Sequence, residues 1–143
     1  MLNKIFVSEI AYGETYQNAE YQVTTPDGQI DFKIGEQNQN LDQLLDANGV
    51  DVACLITACN PLGQQVAVEV NLTANHSLEL AIQAMGLPYY PGHGNDPKGA
   101  WKEGSYLMMG IDPVKARQLG DLYQQNAVVW ISKDAPPELM WLR

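Results

Sequence analysis

Residues 105–132, SYLMMGIDPVKARQLGDLYQQNAVVWIS, decide the fold. Ser105–Ile111 is apolar and rich in strand-forming residues, and it reads as a strand. Asp112-Pro113 follows: an N-cap side chain that can accept from free amides, then a ring that presets φ at the first helical position. The spacing predicts a helix to about Gln125. Ala127–Ser132, Ala-Val-Val-Trp-Ile-Ser, is then a second strand, covered on both faces. Strand, helix and strand at this spacing predict two parallel strands joined by a crossover helix.

Working outward, Val50–Thr57 carries Val52-Ala-Cys-Leu-Ile56, another run suited to a doubly covered strand. It ends at the turn Thr57-Ala-Cys-Asn-Pro-Leu-Gly63. Gln64–Met85 is the longest helix candidate, with Ala67, Val70, Ala74, Leu78, Ala81, Ile82 and Met85 on one face and Gly86 as its stop. Upstream, Glu20–Thr25 and Gln29–Ile34 flank Pro26-Asp27-Gly28. Pro sets the first turn corner and Gly supplies positive φ, so a hairpin is predicted. A short helix over Leu41–Ala47 is expected, capped by Asn40 and stopped at Asn48-Gly49. The opening segment, roughly 3–16, sets Leu2, Ile5, Phe6 and Tyr16 at near-helical spacing, interrupted by Gly13. Leu87–Pro97 reads as loop with at most a short strand, and the tail Leu139-Met-Trp-Leu142 is apolar enough to dock on the body. The class is α+β: a mixed β-sheet of about five strands with an N-terminal hairpin, one long helix and a crossover helix packed on it.

The 143 residues show no repeat, charge block or biased tract, so residues 1–143 form one domain. Seventeen acidic against eight basic residues give a net charge of −9, a field that repels phosphate backbones and disfavours nucleic acid. The same field keeps a protein dispersed in water or engages a basic protein partner. No apolar run approaches the roughly 20 residues of a bilayer span. The N-terminus has no signal-peptide pattern, so a cytoplasmic protein is expected. Cys54 and Cys59 make neither a disulfide framework nor a metal site, and no cofactor motif is present. Two glycosylation sequons, at Asn71 and Asn75, read as chance matches without a secretory signal.

The informative residues are polar groups where the pattern reserves apolar ones, since a buried polar group must be hydrogen-bonded. Asn71 lies within the apolar stripe of the long helix, and Asn75 at its edge. Asn71 either ties the helix to a neighbouring loop carbonyl or faces a ligand. Asn60 begins Asn-Pro and either makes an Asx-type turn or orients a ligand. Asn126 closes the last helix, as a left-handed cap or a binding group. Glu103, in Trp101-Lys-Glu-Gly-Ser105, is a solvated carboxylate or a general acid or base. His93, between Gly92 and Gly94, belongs to a loop that is merely mobile or that shuttles protons near neutral pH. His76 is expected on the exposed side of its helix.

With Val50–Thr57 antiparallel to the two crossover strands, Asn60, Asn71, Glu103 and Asn126 fall at one edge of the sheet. The His93 loop then folds over them. The predicted catalytic pair is Glu103 and His93, with Asn60, Asn71, Asn126 and Trp101 binding a ligand.

Thr57-Ala-Cys-Asn-Pro61, Trp101-Lys-Glu-Gly-Ser105 and Gln125-Asn-Ala-Val128 resemble, in order and spacing, a small bacterial family catalogued as domain of unknown function 3293. Tyr16 and Tyr21-Gln-Val23 extend the resemblance over nearly the whole chain. Cys59 stands where the family often has an aromatic residue before Asn-Pro. The resemblance implies a bacterial cytosolic protein and no particular activity. From the residues, the expected function is a pocket for a small polar metabolite, of binding, hydrolase or transferase type. The alternative is a non-catalytic acidic module that binds a basic protein.

Overall fold

A computed structural model describes residues 5–143. The hairpin forms where its turn chemistry places it, with β1 (Glu20–Thr25) paired to β2 (Gly28–Phe32) across Pro26-Asp27. The Thr25 hydroxyl closes the turn, accepting from Asp27 N and donating to Gly28 O. Helix α1 (Val7–Gln17) precedes the hairpin. The expected starting residues Leu2 and Asn3 lie outside the described residues. Helix α2 (Gln39–Ala47) follows, and its cap is Asn38 rather than Asn40: Asn38 Oδ1 accepts from Leu41 N at 3.1 Å while its Nδ2 holds Asp31 O at 2.9 Å. The second bond, to β2, favours the earlier asparagine.

Strand β3 (Val52–Ile56), helix α3 (Val68–Met85), β4 (Tyr89–Asn95), β5 (Lys102–Met109), α4 (Pro113–Leu122), β6 (Ala127–Ser132) and β7 (Glu138–Trp141) complete the order. Asp112 Oδ1 caps α4 through Val114 N at 2.8 Å, as its sequence dictates. The strands form one sheet in the order β2-β1-β4-β5-β3-β6-β7. Every pairing is antiparallel, so the sheet is not mixed, and it has seven strands rather than about five. The crossover is real: β5 and β6 both run antiparallel to β3 and hence parallel to each other, with β3 between them. Val50–Thr57 runs antiparallel to both, as expected.

Two strands escaped the sequence pattern for physical reasons. β4 contains Pro91, Gly92 and Gly94, poor strand formers. Its pairing to β1 begins at Gly92, so Pro91 has a partner, Tyr106, only on the β5 side. That one-sided position tolerates a missing N–H. β7 is four residues behind two prolines, and it pairs only with β6.

Alternation along the strands sorts the core onto two faces. On one, Leu41 and Leu45 of α2 pack with Ala53, Leu55, Leu107, Met109, Val129 and Ile131. On the other, Leu78 and Ile82 of α3 and Ala116 and Leu119 of α4 cover Cys54, Ile56, Met108, Val128 and Trp130. This double cover is why the two central strands read as continuous apolar runs. Helix α3 starts at Val68, later than expected, and Val70 is exposed. Its first turns overhang the sheet end and face the turn after β3. No helix among the described residues is long and apolar enough to cross a membrane.

Candidate functional site

The turn after β3 is built from side chains. Three successive amides each meet one: Ala58 N donates to Asn75 Oδ1 (2.8 Å), Cys59 N to Thr57 Oγ1 (3.0 Å) and Asn60 N to Asn71 Oδ1 (2.8 Å). Gln125 Nε2 holds the Cys59 carbonyl at 3.1 Å. Asn60 itself is left-handed (φ 48°, ψ 63°), as is Leu62 (φ 58°, ψ 21°). Left-handed non-glycine residues cost on the order of 1–3 kcal/mol each and persist only where their surroundings impose them. Here the constraint on Asn60 is its double bond to Asn71: Asn71 Nδ2 also donates to Asn60 Oδ1 at 2.9 Å. Asn71 therefore grips a loop amide and a side chain, not the loop carbonyl expected.

That grip aims Asn60 Nδ2 at Glu103, and it donates to Oε2 at 2.8 Å. The other carboxylate oxygen has no hydrogen-bond partner among the described residues. Burial raises the Glu103 carboxyl above its ordinary range, and the Asn60 amide offsets part of the rise. Asn126 is buried and donates from Nδ2 to Tyr16 Oη at 3.2 Å. The left-handed residue at the end of α4 is Gln124, so Asn126 does no capping. Trp101, just before β5, lines the same space as Glu103 and Tyr16.

The space is a cavity of about 60 Å³ over the α2 face of the sheet. The registers explain why it is empty. Phe32, Tyr21, Gly94 and Glu103 form one cross-strand row, and Ile30, Val23, Gly92 and Ser105 form the next. In both rows β4 contributes a glycine. A Cβ on Gly94 would lie 3.0 Å from the Tyr21 ring and 3.7 Å from Trp101. The Tyr21 ring thus lies over Gly94, close to the site a side chain would take, and the cavity opens beside it. Leu55, Val129 and Leu139 supply apolar wall. Ser105 is 5% exposed and lines the cavity, and its hydroxyl has no partner. A second cavity of about 100 Å³ adjoins the same three residues, Tyr16, Trp101 and Glu103, on the side of Tyr12, Asn60 and Gly63.

Among the candidates, the structure thus brings Asn60, Asn71, Glu103, Asn126 and Trp101 to one end of the sheet. His93 is elsewhere. It lies in β4, not in a loop, and it pairs with Gly104 while its neighbour Gly94 pairs with Glu103. Alternation puts His93 on the opposite face from Glu103. There it lines a groove with Gln22, Asp31 and Asn95, and burial followed by nearby Lys102 lowers its pKa. Asn75, Tyr16, Tyr21, Ser105 and Gly94 were not assigned to the site. The alternation of glycines in Gly92-His-Gly94 was the available signal.

A model of a family of proteins of unknown function, DUF3293, matches residues 56–128. The chain belongs to this family. The match covers about half the chain, less than the resemblance implied, and it runs from the end of β3 to the start of β6. The DUF3293 segment thereby contains the Asn60 turn, Asn71, Glu103 and Asn126, whereas Tyr16 and Tyr21 lie outside it. No match was found among curated proteins or solved structures.

Proposed function

We propose that the cavity over Gly94 is a pocket for a small polar ligand and that Glu103 is its proton-carrying group. One observation carries the reading: a half-buried carboxyl group, fixed through one oxygen by an immobilised amide, with its other oxygen left without a partner among the described residues. A carboxyl whose pKa burial raises is a stronger proton acceptor than one in water, as a general base requires. Asn60 and Asn71 act as positioning residues, and Ser105 and Trp101 line the space a ligand would occupy. Hydrolysis or group transfer on a polar metabolite is the reaction class that suits such a group. A concave space lined by Glu103, Ser105 and aromatic side chains supports this reading over a purely acidic interaction surface. His93 takes no part, because it faces the other side of the sheet.

The test is ligand-observed NMR with methylammonium, acetamide, acetate and ethylene glycol against wild type and Gly94→Ala. The alanine methyl meets the Tyr21 ring at 3.0 Å and displaces it within the cavity wall, without touching the carboxyl chemistry. Binding to wild type that weakens at least tenfold in Gly94→Ala supports the pocket. Equal signals from both proteins for all four probes overturn it.

A further inference from the structure

Among the described residues, the cavity holds a carboxylate and no basic side chain lines either cavity, and neither ion pair involves Glu103. A half-buried carboxylate without a countercharge is costly, and proteins normally pair it. The surroundings of Glu103 are also specific. Tyr16, Tyr21 and Trp101 come from three different segments to wall the same space. Tyr16 is stacked on both Tyr12 and Trp141, and Tyr21 on Phe32, so of the three it is the Trp101 ring, the type that attracts cations most strongly, that offers its face. The buried Ser105 hydroxyl is two residues along the same strand face and can accept a hydrogen bond. Leu55, Val129 and Leu139 suit a short aliphatic stem.

Resting on the pocket reading above, we infer that the Glu103 cavity takes the protonated amine of a small organic cation, whose ammonium pairs with the free Glu103 oxygen beside Trp101. The ammonium has three donors. Glu103 and the Ser105 hydroxyl are acceptors for two of them. A volume of about 60 Å³ admits an ammonium with a short stem, and it excludes bulky heads. The adjoining cavity of about 100 Å³ borders the same Tyr16, Trp101 and Glu103, and it offers room for the remainder of a longer amine. An anion is disfavoured by the carboxylate. A neutral amide would leave the charge uncompensated.

The experiment is isothermal titration of the full chain with ethylammonium chloride at pH 7.5, with acetamide and ethanol as neutral probes of similar size and potassium chloride as the salt control. Wild type, Glu103→Gln and Gly94→Ala are compared. The inference expects ethylammonium to bind wild type at least tenfold more tightly than acetamide or ethanol. Both variants should weaken ethylammonium at least tenfold, Glu103→Gln by removing the charge and Gly94→Ala by displacing the Tyr21 ring that walls the space. If acetamide binds as tightly as ethylammonium and loses affinity in Gly94→Ala, the cation class is wrong and the pocket stands. If no probe binds above the salt control, the inference and the pocket fall together. Tight ethylammonium binding that survives Glu103→Gln overturns the inference.

Discussion

Replacing Glu103 by Gln should stabilise the ligand-free protein at neutral pH, and the gain should vanish in acid. Gln keeps an oxygen to accept from Asn60 Nδ2, so the one contact the carboxylate makes survives. What disappears is the cost of holding a charge away from water. That cost raises the folded-state pKa above the unfolded value of about 4.3. Below about pH 4.3 both states are protonated and the carboxyl imposes no penalty. As pH rises, the unfolded state releases its proton first, and wild-type stability falls until the folded carboxyl has also ionised. Each pH unit between the two midpoints corresponds to about 1.4 kcal/mol. Asn60 offsets part of the burial effect, so the gain is smaller than burial alone would give; it is complete above the folded midpoint and absent below about pH 4.3. Urea unfolding of both proteins at pH 3.5, 5, 6.5 and 8 reads the difference directly. Glu138→Gln, at an exposed site, controls for the change in net charge. A difference that is flat with pH, or a Gln variant less stable than wild type at pH 8, refutes the reasoning.

Asn71→Ala removes both bonds to Asn60 and leaves the partly buried Asn60 backbone amide unsatisfied, while Asn60 Oδ1 keeps the bond from Val66 N, so a loss of about 1–2 kcal/mol is expected in urea unfolding. A loss below about 0.5 kcal/mol would mean the turn holds itself. Ser105→Ala deletes a buried hydroxyl with no partner, and its stability should be unchanged or higher by up to about 1 kcal/mol; a clear loss would reveal a hidden bond. Gly63→Ala imposes a side chain at φ +74° with its Cβ 2.8 Å from the Tyr12 ring and 3.1 Å from Asn126 Nδ2. It should cost at least about 2 kcal/mol by thermal unfolding, and a neutral result would argue against the close approach of α1 to this turn.

How far the chain could be read in advance follows from how local each determinant is. The β1–β2 hairpin, the Asp112-Pro113 helix start and the Ala127–Ser132 strand are set by contiguous residues, and they form where expected. Asn71 stood out because helical periodicity marks a polar residue in an apolar stripe. Topology then brought Asn60, Glu103 and Asn126 to the same sheet end, since β3 ends where β5 and β6 begin. The failures are non-local. β4 and β7 lack strand composition and are held by their neighbours. Tyr16 and Tyr21 reach the cavity only through α1 and a strand pairing that no local pattern encodes. His93 was misplaced because two flanking glycines signal a loop, whereas here they leave room over a sheet.

The most direct test of the site is a carboxyl-carbon NMR titration of Glu103 in the ligand-free protein, followed from pH 3 to 9 and assigned through Glu103→Gln. A midpoint above the ordinary glutamate value of about 4.3 is predicted. A midpoint at or below that value would place Glu103 in water and contradict the pocket built around it.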